Sequence, residues 1–427
     1  MTLSLPPDGT YTLVGASAPA CLVHGFEHGP SDQDGVVRLD VGIADGRLAM
    51  PGQGARIDVG ERMLWPAPVD VHTHLDKGHI WPRARNLDGS FDSALTAVRA
   101  DREARWTAGD VRARMEFALR CAWAHGTAAI RTHLDSSGAQ AAISWPVFAE
   151  MRERWAGRIE LQAVALATLD DYAGATGVAL ADRVAEHGGV LGLVPWMQDD
   201  LDDALDRWFV LAGERGLDVD LHVDESLDPT ARALDHLARS ASRVGYTGNI
   251  VAGHCCSLSV QEPDAVAQTL DAVAEAGIAI VSLPMCNLYL QDRRAGRTPR
   301  YRGVTLLHEL AARDIPHALA SDNTRDPFYA YGDLDLHEVF REAVRIAHLD
   351  HPFGAWPRAV TATPARLMGL VDRGLLRPGA PADLVLFEGR RFSELLSRPE
   401  AGRVALRGGA VSDARVPAYA ELDGLFD

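Results

Sequence analysis

Eight short apolar runs, each followed by a longer amphipathic stretch, fill the chain between residues 65 and 370 and restrict what it can fold into. They read APVDVHTHLD, GTAAIRTHLD, IELQAVALA, VLGLVPW, LDVDLHVDE, NIVAGHC, IAIVSLP and IPHALASDN. Between them lie helical patterns such as SALTAVRADREARW, AGDVRARMEFALRCAWAH, VFAEMRERWAG, DDALDRWFVLAGERG and AVAQTLDAVAEAG, long enough to cross from one strand to the next. This count and alternation predict an α/β fold, a (β/α)8 TIM-like barrel, in preference to an open doubly wound sheet. No GxGxxG or P-loop glycine pattern follows a strand, so a nucleotide cofactor is not expected.

The flanks read differently. Between residues 10 and 65, TYTLVG, CLVHG, VVRLDVGIADGRLAM, ARIDVG and RMLWPAPV are strand-like and punctuated by turn residues. Residues 334–368 look helical, and then RGLLRPGAPADLVLFEG and GRVALRGGAVS return to β alternation. The expectation is one small β-sandwich built from both termini, with residues 1–64 and 371–427 enclosing a barrel of residues 65–370. A chain of 427 residues that is 47% hydrophobic can bury a core of that size.

A formal charge of -17 argues against nucleic acid or an anionic membrane as partner, and no apolar run reaches spanning length. MTLSLPPDGTYTLVG has no basic start and two prolines, unlike a signal peptide. Cys21, Cys121, Cys255, Cys256 and Cys286 are odd in number and scattered, which reads as reduced thiols in the cytoplasm. The partner expected is a small-molecule substrate. Oligomeric state is not readable, and a homo-oligomer is compatible with the composition.

The chemistry lies where the strands end. His72 and His74 are one residue apart, so they point to the same side of the first strand and can converge on a metal at a barrel mouth. The fifth strand ends in His222 with Glu225 three residues on, the sixth in His254 and the eighth in Asp322. Asp322 also reads as a helix N-cap and Glu225 as a solvated loop carboxylate, but beside His222 general acid/base work is the better reading of Glu225. His133, in RTHLD, echoes the first strand and is assigned a supporting role. Asp70 and Asp76 orient neighbours, and His125, His187, His236, His308, His337, His348 and His351 need only packing or surface roles. Lys77 is the only lysine, so Schiff-base or carboxylated-lysine chemistry would have to use it.

VHTHLD, RTHLDSS, DLHVDES, GHCCSL, LPMCNLYLQDR and SDNTRDPFYAYG, followed by RPGAPADLVLF, resemble the amidohydrolase superfamily, most closely its cytosine deaminase branch. The resemblance implies metal ligation by His72, His74, His222 and Asp322, a proton-shuttling Glu225 and a His254 that contacts the attacking hydroxide. It also implies a mononuclear site, and no lysine at the ends of the third or fourth strand could supply a carboxylated bridge. One divalent ion is expected, Zn or Fe(II), with Mn also suited to three nitrogens and one oxygen. Such an ion lowers the pKa of water from about 15.7 towards ~7. Asp322 would take the water proton, His254 would hold the attacking oxygen, and Glu225 would protonate the ring nitrogen and then the departing amine. The expected activity is hydrolytic deamination of an aminated heterocycle.

At the substrate contacts the chain departs from the branch. Thr168 aligns with a glutamine, Asn323 with an aspartate and Phe328 with a tryptophan. Cytosine itself is therefore a doubtful substrate, and an aminopyrimidine, aminotriazine, pterin-like ring or small guanidine compound fits the same chemistry. Arg325 reads either as a contact for an anionic or carbonyl-rich substrate or as an exposed loop residue. Two rivals remain: hydrolysis of a cyclic amide or amidine with ring opening, and a non-catalytic barrel serving as scaffold.

Overall fold

The computed structural model describes residues 3–6, 9–52, 54–398 and 402–426. Two compact units are found, one within residues 71–119, 130–334 and 417–427 and the other within 1–70, 120–129 and 335–416.

Every one of the eight apolar runs contains a strand. These are β1 (Val69–Thr73), β2 (Ala129–Asp135), β3 (Glu160–Leu166), β4 (Leu191–Leu193), β5 (Val219–Val223), β6 (Ile250–His254), β7 (Ala279–Ser282) and β8 (His317–Leu319). β1 to β3 form one sheet and β4 to β8 a second that is parallel throughout. Parallel bridges close both seams: Val164 with Val190 and Thr168 with Val194 join β3 to β4, and Thr73 with Asp322 joins β1 to the end of β8. The ring is a TIM-type barrel.

Alternation along the strands decides what fills it. On β2 and β5 the even spacing turns Arg131 with His133, and Asp220 with His222, to one side. Arg131 pairs with Asp220 at 2.8 Å and donates to Gln162 at 3.0 and 3.1 Å, a polar layer among buried leucines and valines. Burial pushes the Asp220 carboxyl up to about 7, with Arg131 opposing.

The crossovers are helical: α1 (Phe91–Arg105), α2 (Ala108–His125), α3 (Ala141–Trp155), α4 (Gly174–Glu186), α5 (Leu201–Gly213), α6 (Ala233–Val244) and α7 (Pro263–Glu275). Ser90 caps α1 by accepting from the Ser93 amide at 3.2 Å. α3 starts six residues before the VFAEMRERWAG pattern and carries Pro146 inside it. The short helices α8 (Pro284–Leu290) and α9 (Leu307–Ala311) follow β7.

The other unit holds two four-stranded sheets. One has the order 47–49, 36–44, 11–19, 55–58, and the other 410–411, 403–407, 384–387, 64–66. Tyr11, Leu13, Val41 and Ile43 of the first share one buried cluster with Leu64, Leu384, Leu386 and Leu406 of the second. Its helical portion includes α10 (Leu336–Ala347), a 3-10 turn at Trp356–Val360 and the short helices Ala362–Leu367 and Phe392–Ser397. One expected strand is absent: the sheet strand ends at Pro19, opposite Val36, and CLVHG begins as a 3-10 turn, Ala20–Leu22, with the Ala20 amide donating to the Gly35 carbonyl. Only Val23 retains a β bridge, to Leu376. Among the described residues no helix is long and apolar enough to cross a membrane, and the cysteines form no disulfide.

Candidate active site

His72 on β1, His74 just past it and His222 on β5 bring their Nε2 atoms together. The His222 Nε2 lies 3.2 Å from that of His72 and 3.2 Å from that of His74. Asp322 Oδ1 lies 3.2 Å from His74 Nε2 and 3.6 Å from His72 Nε2. Burial holds all three histidines well below their ordinary pKa, followed by neighbouring imidazoles for His72 and His222 and by the Lys77 charge for His74, so they are neutral and offer lone pairs. Nitrogens bound at ~2.0–2.1 Å to a tetrahedral ion stand about 3.3 Å apart, so this donor set fits a divalent cation as it stands.

The backbone holds these groups in place. Asp322, φ 63°, donates its amide to the His72 carbonyl at 2.9 Å, and His254 and Cys255 have φ 68° and 49°. Left-handed backbone at such residues costs on the order of 1–3 kcal/mol each and aims side chains that a regular strand could not. Gly253 on β6 is required by space, since a Cβ there would stand 2.9 Å from the His72 ring. Beside this donor cluster, the His133 ring lies 4.0 Å from that of His72, and its Nε2 is 3.7 Å from Asp220. Asp76 accepts from the Asp135 amide at 2.9 Å and from Ser144 Oγ at 2.8 Å, tying the loop after β1 to the end of β2.

Glu225 and His254 meet beside the cluster, with Glu225 Oε1 3.3 Å from His254 Nδ1. Burial, reinforced by the Asp322 charge, raises the Glu225 carboxyl well above the usual range, while burial depresses His254 to about 3. A neutral carboxylic acid beside a neutral imidazole can deliver protons at neutral pH. The loop carrying Glu225 is anchored by Asp224, whose carboxylate accepts the amides of Ala233 and Leu234 at the start of α6, at 2.9 and 3.0 Å. His254 also brings a ring nitrogen within 4.8 Å of those of His72 and His222.

A cavity of about 820 Å³ opens above these groups, lined by His74, His222, Glu225 and His254 and, higher up, by Phe91, Trp196 and Phe328. Thr168, Asn323 and Phe328 all line it. The polar ends of the first two are engaged elsewhere: Thr168 Oγ1 is 3.0 Å from Asp171 Oδ2, and Asn323 donates to Asp326 at 2.7 Å and accepts from the Cys286 thiol at 3.7 Å. Phe328 packs edge-on to Phe91 at 5.5 Å. Arg325 turns away from this lining set and covers the Tyr419 ring at 4.0 Å.

Sequence reasoning assigned no role to Asn287, Gln291 or Asp326. Asn287 Nδ2 lies 3.2 Å from Glu225 Oε1 and 3.1 Å from His254 Nδ1, and Gln291 donates to the Glu225 carbonyl at 3.2 Å. The available signal was spacing, because Asn287 and Gln291 are four apart in LPMCNLYLQDR and share a helical face.

The profile of the amidohydrolase family matches residues 110–412. The chain belongs to the amidohydrolase family. A pterin deaminase of Rhizobium rhizogenes is 54% identical over 99% of this chain and 98% of its own length. An N-isopropylammelide isopropyl amidohydrolase from a Pseudomonas species is 22% identical over 77% of this chain and 81% of its own. Among solved structures, 5-methylcytosine deaminase from Klebsiella pneumoniae liganded with phosphonocytosine superposes with a TM-score of 0.81 at 24% identity, covering 95% of this chain and 98% of that one. This amidohydrolase therefore shares its barrel with a deaminase structure and most of its length with a close relative.

Proposed function

We propose that this amidohydrolase deaminates a pterin: water adds to the amidine carbon, the bond to the exocyclic nitrogen breaks, and ammonia and a dioxo ring result. The broader activity is hydrolytic deamination of an aminated heterocycle. The observation that carries the proposal is the convergence of Glu225, His254 and four ligand-type side chains at the base of one cavity, which His74, His222, Glu225 and His254 line. The pterin assignment is supported by the 54% identical relative, and by a space within the ~300–1,000 Å³ of sites for drug-sized ligands, larger than one six-membered ring fills.

His72, His74, His222 and Asp322 would hold one divalent ion, Zn, Fe(II) or Mn by donor type, which supplies a water acidified towards neutral pH. Asp322 would accept the proton of the attacking water. His254, neutral and hydrogen-bonded at Nδ1, directs Nε2 towards the incoming oxygen. Glu225 donates its proton to the ring nitrogen and carries the next one to the amine, making ammonia the leaving group. Phe91 and Phe328 flank the flat ring, and Thr168 and Asn323 shape its edge.

The β unit is part of the same reading, a small sandwich made from both ends of the chain, and so is a cytoplasmic location, supported by cysteines without disulfides. The test is ammonia release from pterin, cytosine and aminotriazines by metal-replete protein, with chromatography of the product. Pterin giving the intact dioxo ring is expected. A ring-opened product, or no ammonia from any of them, would overturn the reading.

A further inference from the structure

Lys77 lies in the turn directly after His74 and is 5% exposed. The turn is immobilised. The Lys77 and Gly78 amides both donate to the His74 carbonyl, at 3.2 and 3.0 Å, and the His79 amide donates to the Thr324 carbonyl at 2.9 Å. Beneath it, the fully buried Arg114 donates from one nitrogen to the carbonyls of Asp76 and Gly78, which flank Lys77, and Asp110 fixes that guanidinium at 2.7 and 2.9 Å.

Among the described residues the ammonium on this rigid base meets no protein acceptor at hydrogen-bond distance, though its charge is felt by Glu225 and Asp326. Among the described residues no carboxylate comes within the 4.0 Å of an ion pair, and no hydrogen bond takes its protons. Its Nζ stands 4.7 Å over the face of Phe328, and the residue lines the cavity above Glu225. Asn323, also in the lining, turns its acceptor Oδ1 to the Cys286 thiol at 3.7 Å. Its Nζ is not among the polar atoms sealed away without a partner: it opens onto the cavity, beside one ring face that answers only part of its charge. The missing acceptor is expected on what enters the cavity.

We propose that Lys77 is a substrate-binding residue that donates to a carbonyl oxygen of the heterocycle conjugated with the amidine carbon, and so selects oxo-substituted rings. The inference rests on the deaminase reading. When water adds to the amidine carbon, the displaced electron pair moves to the ring nitrogen and, through conjugation, towards that oxygen. An ammonium fixed there stabilises the developing charge without having to reorganise.

The test compares pterin with 2-aminopteridine, which lacks the oxygen, in the wild type, Lys77→Met and Lys77→Arg, with metal content and melting recorded. Lumazine, the dioxo product, is titrated by fluorescence as a binding readout free of turnover. Lys77→Met should lose about 10²-fold in kcat/KM on pterin and about 10-fold in lumazine affinity, yet change less than about 3-fold on 2-aminopteridine. Lys77→Arg should recover part of the loss. Equal losses on both rings, or none, would overturn the proposal, since a merely structural lysine would not distinguish them. Should the wild type deaminate neither ring, the deaminase reading fails by itself, and lumazine titration of Lys77→Met still decides whether Lys77 reads a carbonyl.

Discussion

The side-chain amide of Asn287 stands between Glu225 and His254, 3.2 Å from the carboxyl Oε1 and 3.1 Å from the imidazole Nδ1. Donating to Nδ1 leaves the ring proton on Nε2, so one amide sets the tautomer of His254 and the orientation of Glu225 together. Asn287→Leu should lower kcat about 10- to 100-fold with metal content unchanged. Asn287→Asp should be worse, because it places a second carboxylate against Glu225. Steady-state kinetics with metal analysis checks this, and a kcat within about 2-fold of wild type would contradict it.

Glu225→Gln keeps the shape and removes the transferable proton. Turnover should fall by about 10²–10⁴, while lumazine binding and metal content stay near wild type. Near-normal turnover would rule out the shuttle.

Chelation should abolish ammonia release, and one equivalent of Zn, Fe(II) or Mn per chain should restore it. An ion present at ~10³ times its dissociation constant stabilises the fold by about 4 kcal/mol, so the stripped protein should melt measurably lower. Asp322→Ala should melt like the stripped protein and gain little from added metal. Two tightly held ions per chain would contradict a mononuclear site.

His337 gives a pH dependence away from the chemistry. Its ring packs against Phe387 at 5.0 Å, and burial depresses its pKa from 6.5 to about 4, with Asp335 opposing. The unfolded chain takes up this proton near pH 6.5 and the folded chain only near 4. The contribution is therefore whole above pH 6.5 and is lost as pH falls towards 4, by up to roughly 3 kcal/mol. Urea unfolding at pH 7 and pH 4.5 should show wild type losing about 2 kcal/mol more than His337→Phe. Equal losses would refute this.

The strands were legible because short apolar runs between amphipathic stretches have one economical arrangement, and because His72, His74, His222, His254 and Asp322 each fall where a run ends. CLVHG misled for the same reason: apolar alternation does not register that the sheet strand ends at Pro19 and the chain tightens into a 3-10 turn at Ala20. Asn287 was hidden because an amide on a seven-residue helix resembles any polar position, and its partner Glu225 is distant in sequence. Asn323 was noticed as a departure, but only the fold reveals that its amide is committed to Asp326. Lys77 stood out by being alone, yet its direction depends on Arg114, which composition does not reveal.

The Asp322 amide bonds the His72 carbonyl at the bridge where the first and last barrel strands join. The last of the four proposed donors is therefore also the final stitch of the ring. During synthesis the histidines at 72, 74 and 222 leave the ribosome well before this aspartate does. On the proposed assignment the fourth donor therefore reaches the other three only when the two ends of the barrel meet, so ring closure and completion of the donor set would be one event.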